Sequence, residues 1–315
     1  MALGGCIRGM ATILVGSDDG LLNLPPNGRR RRIDHEGRRV TSAALKGPAL
    51  WTVLDGREVW RIDGDTGRIR HAGTIEDGLR ANCVAETRAG VFVGTSEAHL
   101  FELVDRGGEY ELRRVEGFED IDGRSEWHTP WGGPPDVRSI SEDIDTVYVN
   151  VHVGGIARTG EDGAGTWEPT IDIHADVHRV LAVPGLVLAA CALGLAVSGD
   201  RGDSWEMRTD GLHATYCRGV AVSGDTVFVS ASVGPHGGRS AVYRGSLEGG
   251  AFERCGKGLP DWFGDNVDSA WLDAAPGLCA FGTSDGLLFS SEDDGASWSE
   301  IASGISGLHC VVAMP

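Results

Sequence analysis

The sequence predicts an all-β fold, a seven-bladed β-propeller with four antiparallel strands in each blade. The 315 residues include 48 glycines, and 41% of them are hydrophobic, which is typical of many short strands joined by tight turns. Short alternating strand patterns run along the chain, and no long amphipathic helix interrupts them. A polar residue followed by an apolar strand recurs roughly every 40 to 50 residues, the repeat length of a four-stranded blade.

Each repeat begins with a strand that we letter A, the innermost of the strands A to D of one blade. The last A strand, which ends at Met314, has no strand after it, and the first strand, Ala11 to Ser17, is interpreted as a B strand with no A strand before it. We therefore expect both ends of the chain to share one blade, which removes a free sheet edge. The seven A strands are predicted to begin near Arg39, Ala81, Val137, Val177, Cys217, Val267 and Leu308.

The ends and the cysteines predict a location. We expect residues 1–9 to be an unstructured extension and residues 10–315 to form a single propeller, with the start codon at Met1 or Met10. The sequence has no signal peptide and no apolar run of membrane-spanning length, so we expect a cytoplasmic protein without a membrane partner. Because a closed propeller has no obligatory need for a partner, we expect a monomer. An odd number of scattered cysteines indicates a reducing compartment. They are Cys6, Cys83, Cys191, Cys217, Cys255, Cys279 and Cys310.

The formal net charge is −18, and lysine occurs only at Lys46 and Lys257. A surface rich in carboxylates and poor in lysine predicts a halophilic, haloarchaeal protein that stays soluble in a high-salt cytoplasm, because salt screens the self-repulsion. The alternative is a GC-rich genome, which favours arginine and glycine codons. Either way, so acidic a surface excludes nucleic acid as a partner. The basic run 29–32 is interpreted as a solvated loop or an edge strand.

A short motif recurs near the end of three repeats. Ser198–Trp205 and Ser291–Trp298 fit S-x-D-x-G-x-[ST]-W in full, and Gly160–Trp167 fits it in part. The motif resembles the Asp-box (BNR) repeat of sialidases, photosystem assembly factors and sortilin-type receptors. In such a turn the aspartate accepts backbone N–H bonds, the glycine permits a positive φ and the tryptophan packs under the blade. We predict these structural roles for Asp162, Asp200, Asp293, Trp167, Trp205 and Trp298.

Aligning the A strands produces a column of polar residues, one from each blade. Charged groups are costly to bury without partners, so we expect the column to form a ring at the mouth of the central channel. The alternative interpretation is that the polar column only lines a water-filled channel and binds no ligand. The D–A and B–C connections share the same face and carry further histidines and tryptophans. The column is Thr41, Asn82, Arg138, His178, Arg218, Asp268 and His309, and the flanking residues are Trp127, His128, Trp131, His152, His174, His213 and Trp262.

We expect this face to bind a small polar or anionic ligand, or a segment of a partner protein, without catalysis and without an obligatory cofactor. A metal ion at His152, His174 and His178, with Asp176 nearby, is a weaker hypothesis. The resemblance to sialidases implies a second alternative, a glycoside hydrolase with Tyr216 as nucleophile and Asp268 or Asp176 as acid/base. The chain departs from that pattern, because no glutamate lies beside Tyr216. The third alternative is a protein-assembly scaffold.

Overall fold

The computed structural model describes residues 11–25, 31–129, 131–159 and 165–314. Their strands form seven four-stranded antiparallel sheets, which confirms the predicted seven-bladed β-propeller. The expected extension 1–9, Met10, Arg29, Arg30 and Asp162 lie outside the described residues, and Arg31 and Arg32 lie on an outer strand.

We number the blades from the one that contains both ends of the chain. From the channel outwards, blade 1 consists of β28 (Cys310–Met314), β1 (Thr12–Ser17), β2 (Gly20–Leu24) and β3 (Arg31–Asp34). Blade 2 consists of β4 (Val40–Lys46), β5 (Ala49–Leu54), β6 (Glu58–Asp63) and β7 (Ile69–Thr74), and blade 3 of β8 (Ala81–Glu86), β9 (Val91–Thr95), β10 (Leu100–Asp105) and β11 (Tyr110–Arg114).

Blade 4 consists of β12 (Asp136–Asp143), β13 (Thr146–His152), β14 (Gly155–Thr159) and β15 (Glu168–Pro169), and blade 5 of β16 (Val177–Val183), β17 (Leu186–Cys191), β18 (Gly194–Ser198) and β19 (Glu206–Arg208). Blade 6 consists of β20 (Tyr216–Ser223), β21 (Thr226–Ser232), β22 (Ala241–Ser246) and β23 (Gly249–Arg254), and blade 7 of β24 (Leu272–Ala275), β25 (Leu278–Gly282), β26 (Leu288–Ser291) and β27 (Ser299–Ala302).

Helical structure in the described residues is confined to the connections before the A strands. One short α-helix, α1, spans Glu116–Glu119, and 3₁₀ turns span Arg124–Glu126, Ile173–Ala175 and Ser269–Trp271. None of these helices has the length and hydropathy that crossing a membrane requires.

Both ends of the described chain meet in blade 1, as predicted. Strand β28 pairs antiparallel with β1, in a register that runs from Thr12 opposite Met314 to Gly16 opposite Cys310. The pairing satisfies the inner edge of β1 with the last strand of the chain, so the ring closes through hydrogen bonds.

The polar column of the A strands coincides with a backbone irregularity. In β4, β8, β12, β16 and β20 the pairing register shifts at the column residue, which is Thr41, Asn82, Arg138, His178 or Arg218. A β-bulge inserts an unpaired residue and re-aims its side chain away from the alternating pattern of the strand. This recurrent bulge explains how a polar side chain occupies an otherwise apolar strand.

Blade 7 differs from the prediction. We expected its A strand to begin near Val267, whereas β24 begins at Leu272. The carboxylate of Asp268 accepts a hydrogen bond from Ser269 N at 2.7 Å and caps the 3₁₀ turn Ser269–Trp271. A side chain that bonds locally to the backbone competes with strand pairing, which delays the strand.

One arginine crosses the central channel. Arg179 of blade 5 donates from Nη1 to the carbonyl oxygens of Ser269 (2.5 Å) and Leu272 (2.6 Å) in blade 7, and its Nη2 lies 3.5 Å from Asp273 Oδ1. Asp273 Oδ2 in turn accepts a hydrogen bond from Ala313 N in β28 at 2.9 Å. The guanidinium therefore links blade 5 to blade 7, and through Asp273 to the closing strand.

The two complete motif turns have matching hydrogen bonds. Asp293 Oδ1 accepts from Ser291 Oγ and Ser297 N, both at 2.8 Å, and Oδ2 accepts from Ser297 Oγ at 2.6 Å. Asp200 accepts the equivalent bonds from Ser198 and Ser204 at 2.6–2.9 Å. These bonds, above all those from the serines at Ser204 and Ser297, hold the pKa of each carboxyl to about 2.

This pKa shift predicts the acid response of the motif turns. A carboxyl whose folded pKa of about 2 lies below its ordinary value of 3.8 stabilises the fold fully above pH 3.8 and loses that contribution as the pH falls through 2. In urea denaturation, we expect the double variant Asp200→Asn, Asp293→Asn to be less stable than the wild type at pH 7, with a difference that shrinks at pH 2. A difference that stays constant over this range would contradict the assignment.

Candidate ligand-binding face

Charged residues of the column from blades 4, 6 and 7 lie together at one mouth of the channel. Arg218 Nη1 donates to Asp268 Oδ1 at 2.8 Å. Burial alone would raise the pKa of Asp268, but Arg218, the hydrogen bond from Ser269 N and then Arg138 outweigh it and hold the pKa below its usual value. Burial lowers the pKa of Arg138, while the neighbouring Asp268 opposes that effect. The carboxylate of Asp268 is therefore paired directly with Arg218 and acts on Arg138 only from a longer distance.

Arg138 is the member of this group without a direct partner. Its half-buried side chain makes no hydrogen bond, and no carboxylate lies within 4.0 Å of it, among the residues that the structure describes. Arg218 Nε is also buried without a hydrogen-bond partner. Guanidinium N–H groups bind carboxylates in pairs, so this arrangement offers donors that the protein itself does not use.

Two histidines and an aspartate adjoin the arginines. His152 ends β13, His178 lies in the bulge of β16, and Asp176 precedes that strand with a positive φ of 51°. Asp176 Oδ1 lies 2.9 Å from His152 Nε2 and 3.7 Å from His178 Nε2. The 2.9 Å approach is too poorly directed to count as a hydrogen bond, and Asp176 Oδ1, His152 Nδ1 and His178 Nε2 are all buried without a hydrogen-bond partner.

The backbone fixes the orientation of His178. Its Nδ1 lies 2.6 Å from the carbonyl oxygen of Cys217, so Nδ1 carries the proton and donates it. Burial lowers the pKa of His178 to about 4, against a smaller opposing effect of Asp176. The ring is therefore neutral near pH 7, and Nε2 presents a lone pair towards Asp176.

Tyr216 packs against this cluster, with its ring centroid 4.8 Å from that of His178. Burial raises the pKa of the Tyr216 phenol, despite the nearby Arg218. Burial raises the pKa of Asp176, but the neighbouring His152 and then His178 outweigh this effect and lower the pKa below its usual value. Near pH 7 the phenol is therefore protonated, and Asp176 and Asp268 are both ionised, so these residues supply neither an activated nucleophile nor a protonated carboxylic acid.

The column residues of blades 1 to 3 bind local partners instead. His309 Nε2 lies 2.8 Å from Asp18 Oδ1, and that carboxylate also accepts from Arg39. Asn82 Oδ1 accepts from Arg80 at 3.0 Å. Thr41 Oγ1 approaches Val53 O at 3.4 Å. The predicted ring is therefore uneven, because the column residues that interact with one another come from blades 4 to 7.

The tryptophans of the face divide into core and surface. Trp131 is 67% exposed, and its ring lies 5.5 Å from that of His152. For Trp127 the structure corrects our expectation that its side chain is part of the ligand-binding face. Its ring is only 9% exposed and packs between Phe118 and the guanidinium of Arg124, because the segment with α1 folds back over the core between blades 3 and 4.

The other predicted site residues lie away from the His152–Asp176–His178 cluster. His213 contacts Trp262 at 4.6 Å between ring centroids, and its Nδ1 lies 2.6 Å from Tyr243 Oη, which makes a second aromatic group beside blade 6. His128 is exposed and bonds back to the carbonyl oxygen of Glu126. His174 is exposed and takes no part in the cluster, so Asp176 is the third group beside the two histidines.

Sequence reasoning missed two apolar residues on this face. Leu193 and Val233 lie in or beside the B–C connections of blades 5 and 6 and are 54% and 59% exposed. The signal was an apolar residue in a connection between strands where small or polar residues are expected. With Trp131 they place an exposed apolar side chain on each of three consecutive blades.

The fold and the face together define a seven-bladed β-propeller with a group of polar, partly buried side chains contributed by blades 4 to 7. No protein-family model matches the chain, and no curated protein matches its sequence. Solved structures share the fold at low identity. In "YCF48 bound to D1 peptide", the chains are 14% identical with a TM-score of 0.56, over 87% of this chain and 91% of the other.

Two further structures have the same fold. The computationally designed Ika8 protein is 12% identical with a TM-score of 0.56, over 95% of this chain and 88% of the other. A chain of the "Mitotic Checkpoint Complex" is 11% identical with a TM-score of 0.60, over 87% of this chain and 83% of the other. At these identities the likeness extends to the architecture alone.

Proposed function

We propose that the D–A and B–C face binds a segment of a partner protein that carries a carboxylate, with Arg138 as its principal contact. The observation that carries the proposal is the partnerless guanidinium of Arg138 beside the ion pair of Arg218 and Asp268. A half-buried guanidinium without a carboxylate of its own is a ready partner for an external one.

The apolar residues favour an extended segment over a small molecule. Trp131, Leu193 and Val233 are exposed apolar residues in the connections of consecutive blades, an arrangement that suits an extended peptide better than a compact ligand. YCF48, which shares the fold, has been solved bound to a peptide, and this supports a peptide as the kind of partner. The role is then that of a binding protein in assembly, without catalysis.

A peptide screen tests this role. Short peptides with acidic residues and free C-terminal carboxylates are selected on the immobilised full-length chain, and the strongest binder is labelled for fluorescence anisotropy. We expect Arg138→Gln to weaken that peptide about 30-fold or more, roughly 2 kcal/mol, because the buried contact to a charged group is lost. Arg113→Gln, at an exposed arginine on the outer strand β11, is the matched control and should bind as the wild type does.

Three results contradict the proposal. They are a screen that produces no binder, a peptide that binds the Arg138 variant unchanged, and inorganic phosphate or acetate that binds as tightly as the peptide. The last result points to a small anion as the ligand.

The glycoside hydrolase remains the second candidate, because Tyr216, Asp176 and Asp268 do lie in one region of the face. Their pKa directions oppose it, as the phenol is stabilised in its protonated form and both carboxyls in their ionised form. A panel of fluorogenic sialosides and glycosides checks this candidate. Turnover that Tyr216→Phe abolishes would replace the binding role with catalysis.

We further propose that the protein works as a monomer of the Asp-box class in a reducing, salt-rich cytoplasm. The six cysteines in the described part of the chain are all buried and unpaired, which suits a compartment that keeps thiols reduced. The two matching motif turns support the Asp-box class, and the net charge of −18 supports the halophilic setting.

A further inference from the structure

We propose that His152, Asp176 and His178 form a binding site for one divalent first-row transition-metal ion. The site lies beside the arginines of the proposed peptide contact, but neither it nor its test depends on a peptide. Three features of the ligand atoms support the site, namely their spacing, their direction and their burial.

The spacing suits a common ion. One ligand atom from each residue lies within 4.8 Å of the others, and the two distances to Asp176 Oδ1 are 2.9 and 3.7 Å. Ligand atoms bound at about 2.0–2.2 Å in a tetrahedral site lie about 3.3–3.6 Å apart. Small side-chain rotations bring the three atoms to these separations.

The directions of the ring atoms leave a place for a cation. His178 Nδ1 donates its proton to Cys217 O, so Nε2 holds a lone pair. That lone pair faces the carboxylate oxygen of Asp176, and two acceptors in such proximity need a cation or a proton donor between them. A metal-binding histidine typically donates its other N–H to a backbone carbonyl or carboxylate, which is the arrangement seen at His178.

Burial makes it more costly to leave these facing acceptor atoms without a cation or a proton donor. The side chains of His152 and His178 are 2% and 0% exposed. Two of the three ligand atoms, Asp176 Oδ1 and His178 Nε2, are buried and lack a hydrogen-bond partner. Buried polar atoms are almost always satisfied in folded proteins, so two unsatisfied ligand atoms that face each other indicate a missing component.

The donor set selects the ion. Two imidazoles and one carboxylate favour zinc, ferrous iron or their neighbours over magnesium and calcium, which prefer oxygen ligands throughout. Three protein ligands also leave at least one coordination position open. The positive charges of Arg138 and Arg218 oppose the ion, and the ion pair with Asp268 offsets part of the charge of Arg218.

Cobalt titration of the untagged full-length chain, first treated with a chelator, tests the site. We expect one equivalent of Co²⁺ to bind, with visible absorption bands and no thiolate charge-transfer band, and one equivalent of Zn²⁺ to displace it. Asp176→Asn should weaken Co²⁺ binding at least tenfold. Removing a residue that only hydrogen-bonds to a metal ligand already weakens metal binding about 10- to 100-fold, and removing the ligand itself should have at least that effect. Asparagine tolerates the positive φ of this position, so the backbone is preserved.

Matched variants show whether the bound ion occupies these three residues. His174→Ala removes an exposed histidine two residues before Asp176 and should leave Co²⁺ binding unchanged. Arg138→Gln should bind Co²⁺ as tightly as the wild type or more tightly, although the same variant loses the peptide. His152→Gln is the second ligand variant if Asp176→Asn does not fold by circular dichroism.

The proposal is overturned by wild-type protein that binds no stoichiometric Co²⁺, by a thiolate band, or by folded ligand variants that titrate like the wild type. A peptide result has no bearing on these outcomes, so the two proposals fail independently.

Discussion

Replacing Arg179 with methionine should destabilise the protein by about 3–5 kcal/mol at pH 7.5, because it leaves the carboxylate of Asp273 in the channel without its counter-charge. The variant also loses two hydrogen bonds that connect blade 5 to Ser269 and Leu272 of blade 7. Urea denaturation followed by circular dichroism measures the change. A loss below about 1 kcal/mol would show that the channel hydrates Asp273 well enough without the arginine.

The pH dependence of this variant gives a sharper test. Burial raises the pKa of Asp273 above 3.8, and Arg179 works against that shift. A carboxyl whose folded pKa is raised costs stability above that pKa, and the cost disappears as the pH falls to its unfolded value. The loss in free energy of unfolding caused by Arg179→Met should therefore be larger at pH 7.5 than at pH 4.5. The double variant with Asp273→Asn should recover stability at pH 7.5, because the unpaired charge is gone.

Trp298→Ala should lower the free energy of unfolding by about 3–5 kcal/mol, the usual cost of emptying a buried aromatic site. Trp298 is 4% exposed, its ring lies 5.0 Å from Phe281 and 6.1 Å from Phe228, and its Nε1 donates to Gly295 O at 3.2 Å. It therefore packs the motif turn of blade 7 against blade 6.

Trp131→Ala is the matched control, since it removes the same side chain from a position that is 67% exposed. Its effect on stability should stay within about 0.5 kcal/mol. Equal losses for the two tryptophans would contradict the role assigned to the motif tryptophan.

The architecture was predictable because its signals are local. Strand alternation, motif turns and the strands at the two ends of the chain can each be recognised within a short stretch of sequence. As a result, six of the seven A strands begin within two residues of their predicted starts. Blade 7 was misplaced because the side chain of Asp268 bonds to the following backbone N–H, a choice that strand periodicity does not reveal.

The arrangement of the site was less predictable. The polar column was visible in the sequence, but the bulges at Arg138, His178 and Arg218 decide where those side chains point, and no residue type marks them. The prediction for Trp127 was wrong because its burial depends on α1 folding over it, which is a long-range contact. His174 and Asp176 were equally plausible neighbours of His178 until a 3₁₀ turn directed one outwards and the other inwards.

The pairing of β28 with β1 has a consequence for synthesis on the ribosome. Blades 2 to 7 are each made from one continuous stretch of chain, whereas the inner edge of β1 finds its partner only after residue 314 has emerged. Until then, this edge of β1 is open to pairing with strand β28 of another chain. When two chains exchange β28 in this way, the product is a domain-swapped dimer. Crowded polysomes should therefore favour intertwined dimers whenever the last strand is delayed.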